Sequence, residues 1–249
     1  MKIVVIGGSG LIGRQVVAHL AGHGHEAVSA SPSTGVDVLT GQGLAEVLAG
    51  ADVVVDVSNA PSFEDTAVLD FFTRSGRTLL AAEVEAGVAH HVALSIVGTD
   101  RPPGNGYFRA KVAQEGLIRA SGVPFTIVRA TQFFEFIGAI TEAAAEDGRI
   151  RVPDADFQPI AAADVAAILA DVAVAEPAGG LLEIAGPDKA PFADFVARHA
   201  QAKGDRRPVS AAPESPYFGA RLTRGSLVPD AAAAPRLGAT RFAAWLSRA

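Results

Sequence analysis

Three residues have the types and the spacing to move a proton at a polarised oxygen: Ser95, Tyr107 and Lys111. Tyr107 and Lys111 stand at i and i+4, which puts them on one face of a helix. An ammonium beside a phenol favours the phenolate and draws its pKa down from about 10. A phenol so placed can give a proton to a carbonyl oxygen as hydride reaches the carbon, or take one from an alcohol in reverse. Ser95 ends an apolar strand twelve positions before Tyr107, where its hydroxyl could hold the substrate oxygen. Tyr-x-x-x-Lys alone occurs in many helices by chance, and the plain alternative is a surface lysine with a tyrosine packed at a helix start. The chain has only two tyrosines, and one of them falls here.

Such a group needs a hydride source held nearby, and the first stretch of the chain has the form of one. Lys2 to Ile6 is a β-branched run, Gly7, Gly10 and Gly13 follow at intervals of three, and Leu11, Ile12, Val16, Val17 and Leu20 carry helical periodicity. Strand, glycine turn and helix open a dinucleotide-binding unit. Gly7 suits a tight turn of positive φ. Gly10 lets a pyrophosphate approach the backbone, and Gly13 lets the helix lie close on the strand. The helix start through Leu11 and Ile12 aims free N–H groups and a positive dipole end at the phosphates.

The end of the second strand, Glu26 to Ala30, chooses the cofactor. An acid there bonds the ribose hydroxyls of NAD and repels a 2′-phosphate. Here Ser29, Ser31 and Ser33 flank Ala30 and Pro32 without an acid, which favours NADP over NAD, the alternative being a plain Ser/Pro turn. Gly35–Val38 reads as a short third strand. Asp37 on it is either an acceptor for the adenine amino group or a turn carboxylate.

A helix over Gly43–Leu48 precedes the continuous apolar strand Ala51–Val57, as expected for a sheet covered on both faces. Phe63–Ala86 reads as helix interrupted at Gly76. His90–Ser95 is the next strand. The adjacent histidines point to opposite faces of it, which argues against a shared metal. A polar loop with Pro102 and Pro103 leads to the Tyr107 helix, then to a strand over Phe125–Arg129 and a helix over Phe133–Asp147. Phe133, Phe134 and Phe136 either line a pocket or pack in a core. Beyond Gly148 the expected pieces are short strands at Arg149–Val152, Phe157–Ile160 and Leu181–Ala185. Helices are expected at Ala163–Ala175, Pro191–Ala202, Pro213–Val228 and Ala239–Ala249.

The strand–helix alternation through residue 130 gives the fold class: α/β, a Rossmann doubly wound parallel sheet with a small C-terminal substrate lobe. Residues 1–249 read as one domain, with those from about 150 on supplying the lobe. With 49% hydrophobic residues the chain is ample for a buried core. A formal charge of −6 gives no overall attraction to nucleic acid or anionic membrane. Zero cysteines exclude disulfides, thiol catalysis and thiolate metal ligands. No run reaches a membrane span and no leader is visible, so a cytoplasmic protein is expected. Monomer and homodimer stand equal.

Gly7-x-x-Gly10-x-x-Gly13, Ser95 and Tyr107-x-x-x-Lys111 together resemble the short-chain dehydrogenase/reductase superfamily. Val5–Gly13, Pro124–Phe133 and Pro159–Ala166 resemble its atypical, NmrA-like branch, over most of residues 1 to 190. The resemblance implies NAD(P) along the carboxyl edge of the sheet, with Gly7, Gly10 and Gly13 on the pyrophosphate. Asn59 and Ala60 would stand beside the cofactor ribose, Lys111 would also reach it, and Ser95, Tyr107 and Lys111 would form the catalytic group. The branch includes reductases of quinones and other carbonyls, and nicotinamide-sensing regulators that have lost the Tyr–Lys pair. This chain keeps the pair. It departs from the pattern in lacking a glycine in Ser58-Asn59-Ala60, a clear 2′-phosphate arginine and an identified fourth catalytic residue, an Asn. The expectation is an oxidoreductase acting on a small, apolar carbonyl, enone or quinone, the alternative a nicotinamide sensor without turnover.

Overall fold

The first strand, β1 (Lys2–Ile6), has four of its five residues buried. Its side chains are apolar on both faces, which only a strand covered by helices on each side can satisfy. A computed structural model describes residues 1–101, 105–230, 232 and 234–248. Pro102 and Pro103 of the expected polar loop, and Ala249 of the last expected helix, lie outside the described residues.

The chain forms two compact units. The first comprises Met1–Ser95, Gly106–Arg129 and Val165–Leu182, and the second Ile96–Asn105, Ala130–Asp164 and Glu183–Ala249. In chain order β1 is followed by α1 (Gly13–Gly22), β2 (Glu26–Ala30), α2 (Leu44–Leu48), β3 (Val53–Asp56), α3 (Asp65–Ala86), β4 (His90–Ile96), α4 (Gly106–Ala120) and β5 (Phe125–Ala130). Then come α5 (Ile137–Ala143), β6 (Ala145–Glu146), β7 (Arg149–Val152), β8 (Asp156–Phe157), α6 (Ala162–Ala173) and β9 (Gly180–Ala185). The chain continues through β10 (Ala190–Pro191), α7 (Phe192–Ala202), β11 (Val209–Ala211), β12 (Arg236–Leu237) and α8 (Phe242–Leu246).

A seven-stranded sheet runs in the order β12-β9-β5-β4-β3-β1-β2. β1 pairs in parallel with both β2 and β3, and β3 with β4. The chain therefore leaves β1 to one side for β2 and returns to the other for β3. That reversal is the switch point at which open α/β sheets bind ligands, beyond the carboxyl ends of the two strands. Val4, Ile6, Val54, Leu44, Leu48 and Leu79 pack into the core on one flank of these strands. Val68, Phe72 and Ala110 form a second cluster between α3 and α4. The expected Rossmann class is the observed one.

Four local expectations are corrected. Gly35–Val38 is not a strand: Pro32–Thr34 is a short 3₁₀ turn, and the Val36 and Asp37 amides bond to Ser31 and Gln42 carbonyls instead of a ladder. Gly76 does not break its helix. α3 runs unbroken for 22 residues, and the glycine is buried where Leu117 of α4 comes close. Phe133–Asp147 is a 3₁₀ turn, a seven-residue helix and the two-residue strand β6. Pro213–Val228 holds no helix. Its Gly225 and Val228 carbonyls instead accept from the Arg101 guanidinium at 2.6 Å each, and tight turns link Tyr217 to Ala220 and Thr223 to Ser226.

The second unit has its own core of rings. Phe157 stacks on Phe192 at 4.1 Å, and Phe134, Phe195 and Trp245 surround Phe242. Phe134 is thus a core residue, whereas Phe136 is half-exposed and stacks on Phe133. Asp164 accepts from the Thr240 amide and hydroxyl at 2.8 and 2.9 Å and ties the last residues to the start of α6. Among the described residues no helix is long and apolar enough to cross a membrane.

Candidate active site

All the residues singled out for cofactor and catalysis lie in the first unit. Gly7 takes φ +77°, and a Cβ there would lie 2.9 Å from the Ser58 amide and the Val57 carbonyl. The turn after β1 is therefore pressed against the end of β3, with no room for a side chain. A Cβ on Gly13 would come within 2.6 Å of Gly8 Cα, so α1 reaches its close approach only with glycine. At Gly10 the nearest atom to such a Cβ is the Gly7 carbonyl at 3.3 Å, and its remaining side is open. The Leu11 and Ile12 amides donate to no protein acceptor among the described residues, whereas those of Gly10, Arg14 and Gln15 do. Two undonated N–H groups at the start of a ten-residue helix suit a phosphate oxygen.

At the end of β2, Ser31 and Ser33 share a hydroxyl hydrogen bond of 2.9 Å, and the Ser31 amide donates to Thr34 Oγ1 at 2.9 Å. The Ser29 hydroxyl lies over Gly8. No carboxylate occurs between Ser29 and Thr34. Asp37 accepts from the Leu39 amide at 2.8 Å, so it caps its own turn.

Asn59 and Ala60 follow β3. Asn59 Oδ1 accepts from the Ala60 amide at 3.0 Å and from the Tyr107 hydroxyl at 2.7 Å. Tyr107 stands in the first turn of α4, its ring edge-on to Phe72 at 5.9 Å and tilted against Phe63 at 5.5 Å. Phe63 is 68% exposed. Burial pushes the Tyr107 phenol well above its ordinary range.

Lys111, one turn on, is buried and does not reach the phenol. Its ammonium donates to Gln114 Oε1 and lies 4.4 Å from the centroid of the Phe72 ring. Gln114 in turn donates to Asp56 Oδ2 at 2.9 Å, and the other Asp56 oxygen accepts from the Ser58 amide at 2.9 Å. Burial draws the Lys111 pKa down to about 8, against the opposing pull of Asp56 and Glu115. The expectation that Lys111 lowers the phenol's pKa is therefore corrected. A shared helix face brings both side chains to Phe72, but the lysine's hydrogen-bond partner is Gln114 and the tyrosine's is Asn59.

The Ser95 hydroxyl is buried and donates to Glu115 Oε1 at 2.7 Å. Glu115 also accepts from Arg129 Nε and Nη2 at 2.8 and 2.7 Å and from Arg119 at 3.0 Å. Sequence reasoning placed this hydroxyl beside the phenol, whereas the structure directs it into a buried ion cluster. Asp56, Gln114, Glu115 and Arg129 were not anticipated. The one available signal was the polar character of Gln114 and Glu115 among the buried positions of α4. The histidine pair diverges as its strand position requires: His90 bonds Thr126 at 2.9 Å, and His91 bonds Glu83 of α3 at 2.8 Å.

Comparison with known proteins agrees with the glycine turn. The (4-alkanoyl-5-oxo-2,5-dihydrofuran-3-yl)methyl phosphate reductase of Streptomyces griseus subsp. griseus is 32% identical over 144 residues, 53% of this chain and 48% of that protein. A chloroplastic divinyl chlorophyllide a 8-vinyl-reductase of Oryza sativa subsp. indica is 31% identical over 225 residues, 76% of this chain and 55% of that protein. The chain spans about half the length of the curated relatives it matches. The NADPH-dependent quinone oxidoreductase of Escherichia coli superposes with a TM-score of 0.72 at 19% identity, covering 99% of each chain, which is a likeness of fold. Residues 7–176 match the NAD(P)H-binding family, and the chain belongs to that family.

Proposed function

We propose that the chain is an NAD(P)(H)-dependent oxidoreductase that reduces a small carbonyl, enone or quinone, with Tyr107 as general acid. The observation that carries this reading is the placement of the Tyr107 hydroxyl, 2.7 Å from Asn59 at the end of β3, beside the switch point that β1 and β3 form. Both relatives named above are reductases, which supports the reaction class. Gly7, Gly10, Gly13 and the Leu11 and Ile12 amides would hold the pyrophosphate. Ser29, Ser31 and Ser33, with no acid among them, favour NADP over NAD, and Asp37 and Ala60 would flank the nucleoside. When bound, the reduced nicotinamide supplies hydride. As the substrate carbon accepts it, the substrate oxygen gains negative charge and takes the phenolic proton, leaving a phenolate on Tyr107. The exposed Phe63 ring beside the phenol suits an apolar, flat substrate. Lys111 would bond the cofactor ribose once released from Gln114, and Ser95 would act through Glu115 and the position of β4.

One observation favours the sensor alternative, in which the chain binds the dinucleotide without turnover. Lys111 is bonded to Gln114 rather than aimed at the phenol. Titration with NADPH and NADH followed by nicotinamide fluorescence, then a carbonyl and quinone turnover screen, separates the two readings. Tyr107→Phe is expected to lower turnover about 10²–10⁴-fold with cofactor affinity unchanged. Normal turnover in that variant refutes the general-acid assignment.

A further inference from the structure

Tyr107 has a single hydrogen-bond partner for its hydroxyl among the described residues, and it is not the lysine one turn away. The orientation of that partner is fixed. The Ala60 amide donates to one atom of the Asn59 side chain at 3.0 Å, so that atom is the carbonyl oxygen and the amide nitrogen points the other way. The same oxygen lies 2.7 Å from the phenol, so the phenol must be the donor. Asn59 is exposed, and its two N–H donors meet no protein acceptor among the described residues. A neutral acceptor of the phenol's O–H hydrogen bond stabilises the protonated phenol.

We propose that Asn59 is the positioning residue that sets the direction and the protonation of the Tyr107 hydroxyl, in place of Lys111, and keeps it loaded as a proton donor. The inference rests on the reading of Tyr107 as the group that supplies the proton. It adds that the site is built for the reducing direction, since among the described residues no cation is bonded to the phenol to stabilise a phenolate. The raised phenol pKa agrees with this geometry. The charged groups on the elements around the ring are otherwise engaged. Lys111 of α4 bonds Gln114, Asp56 of β3 accepts from Gln114, and Arg109 of α4 pairs with Asp65 of α3 at 2.6 Å.

The chain's two tyrosines make the test direct. Labelling with 3,5-difluorotyrosine, whose phenol ionises nearer neutrality, gives two fluorine resonances, and Tyr217→Phe leaves only that of Tyr107. Asn59→Ala is expected to lower the Tyr107 ionisation midpoint by about 0.5–1 pH unit, the worth of one neutral hydrogen bond. Asn59→Asp, whose carboxylate accepts the same proton more strongly, is expected to raise it. Lys111→Met is expected to move it less than Asn59→Ala does. An unchanged midpoint in Asn59→Ala, or a larger shift in Lys111→Met, overturns the proposal. The titration needs no substrate. Normal turnover in Tyr107→Phe with the Asn59 shifts present would sink the general-acid reading of Tyr107 and leave the Asn59–Tyr107 coupling standing.

Discussion

Removal of the Glu115 carboxylate is expected to be strongly damaging to the first unit. Glu115 and Arg129 are 1% and 5% exposed. The two are joined by a two-pronged bond of 2.8 and 2.7 Å, and Ser95 and Arg119 donate to the same carboxylate. Glu115→Ala leaves the Arg129 guanidinium buried without its carboxylate, at a cost of about 3–5 kcal/mol. The Arg119 bond adds little, because that side chain is 42% exposed. A protein of this size loses roughly 2–4 °C per kcal/mol, so the melting temperature is expected to fall by roughly 6–20 °C. Urea unfolding followed by circular dichroism measures the loss. The single tryptophan, Trp245, lies in the second unit and reports that unit by fluorescence. Glu115→Leu combined with Arg129→Met is expected to be less damaging than Glu115→Ala alone, because neither member of the pair is then left as a buried charge without the other. Burial works against the Glu115 carboxylate, but the bonds from Arg129, Ser95 and Arg119 outweigh it and hold its pKa below the ordinary value. Its contribution is therefore present above the unfolded carboxylate pKa and lost as pH falls through the folded one. A loss under about 1 kcal/mol in Glu115→Ala, with a native spectrum, refutes the reasoning.

Gly13→Ala brings a methyl group to 2.6 Å from Gly8 Cα, a backbone atom that can move only with its turn. Dinucleotide affinity by fluorescence titration is expected to fall at least tenfold, and stability by about 1–3 kcal/mol. His90 is held neutral by burial and then by the His91 charge, with its pKa down to about 4. A depressed folded pKa contributes stability above the unfolded value near 6.5 that is lost as pH falls toward 4. His90→Gln, which can keep the Thr126 bond, is expected to flatten urea midpoints over that window, and an unchanged slope contradicts the assignment.

The glycine turn was legible because its demands are local. Gly7 needs a positive φ and Gly13 a close approach, and both constraints act over a few residues on backbone geometry that only glycine meets. The continuous apolar runs of β1 and β3 announced a covered sheet for a similar reason, since each strand carries its own burial pattern. Lys111 was legible only as far as its Cα. The i+4 spacing fixes a helix face, but four rotatable bonds let the ammonium choose among partners on that face, and the choice is made by what else is buried there. Gln114 is three residues away and visible on the same helix. Asp56, which orients Gln114, lies 58 positions before it, at the end of a strand whose other residues are all valine. Nothing in that strand's own pattern says that its final carboxylate faces α4. Ser95 differs only in distance: the acceptor that captures its hydroxyl, Glu115, is twenty residues on, in what reads as the polar side of a helix. Buried polar groups must find partners. Where several stand within reach, the packing of α4 on the sheet assigns them, so the chemistry of Tyr107 depends on contacts that its own helix spacing does not encode.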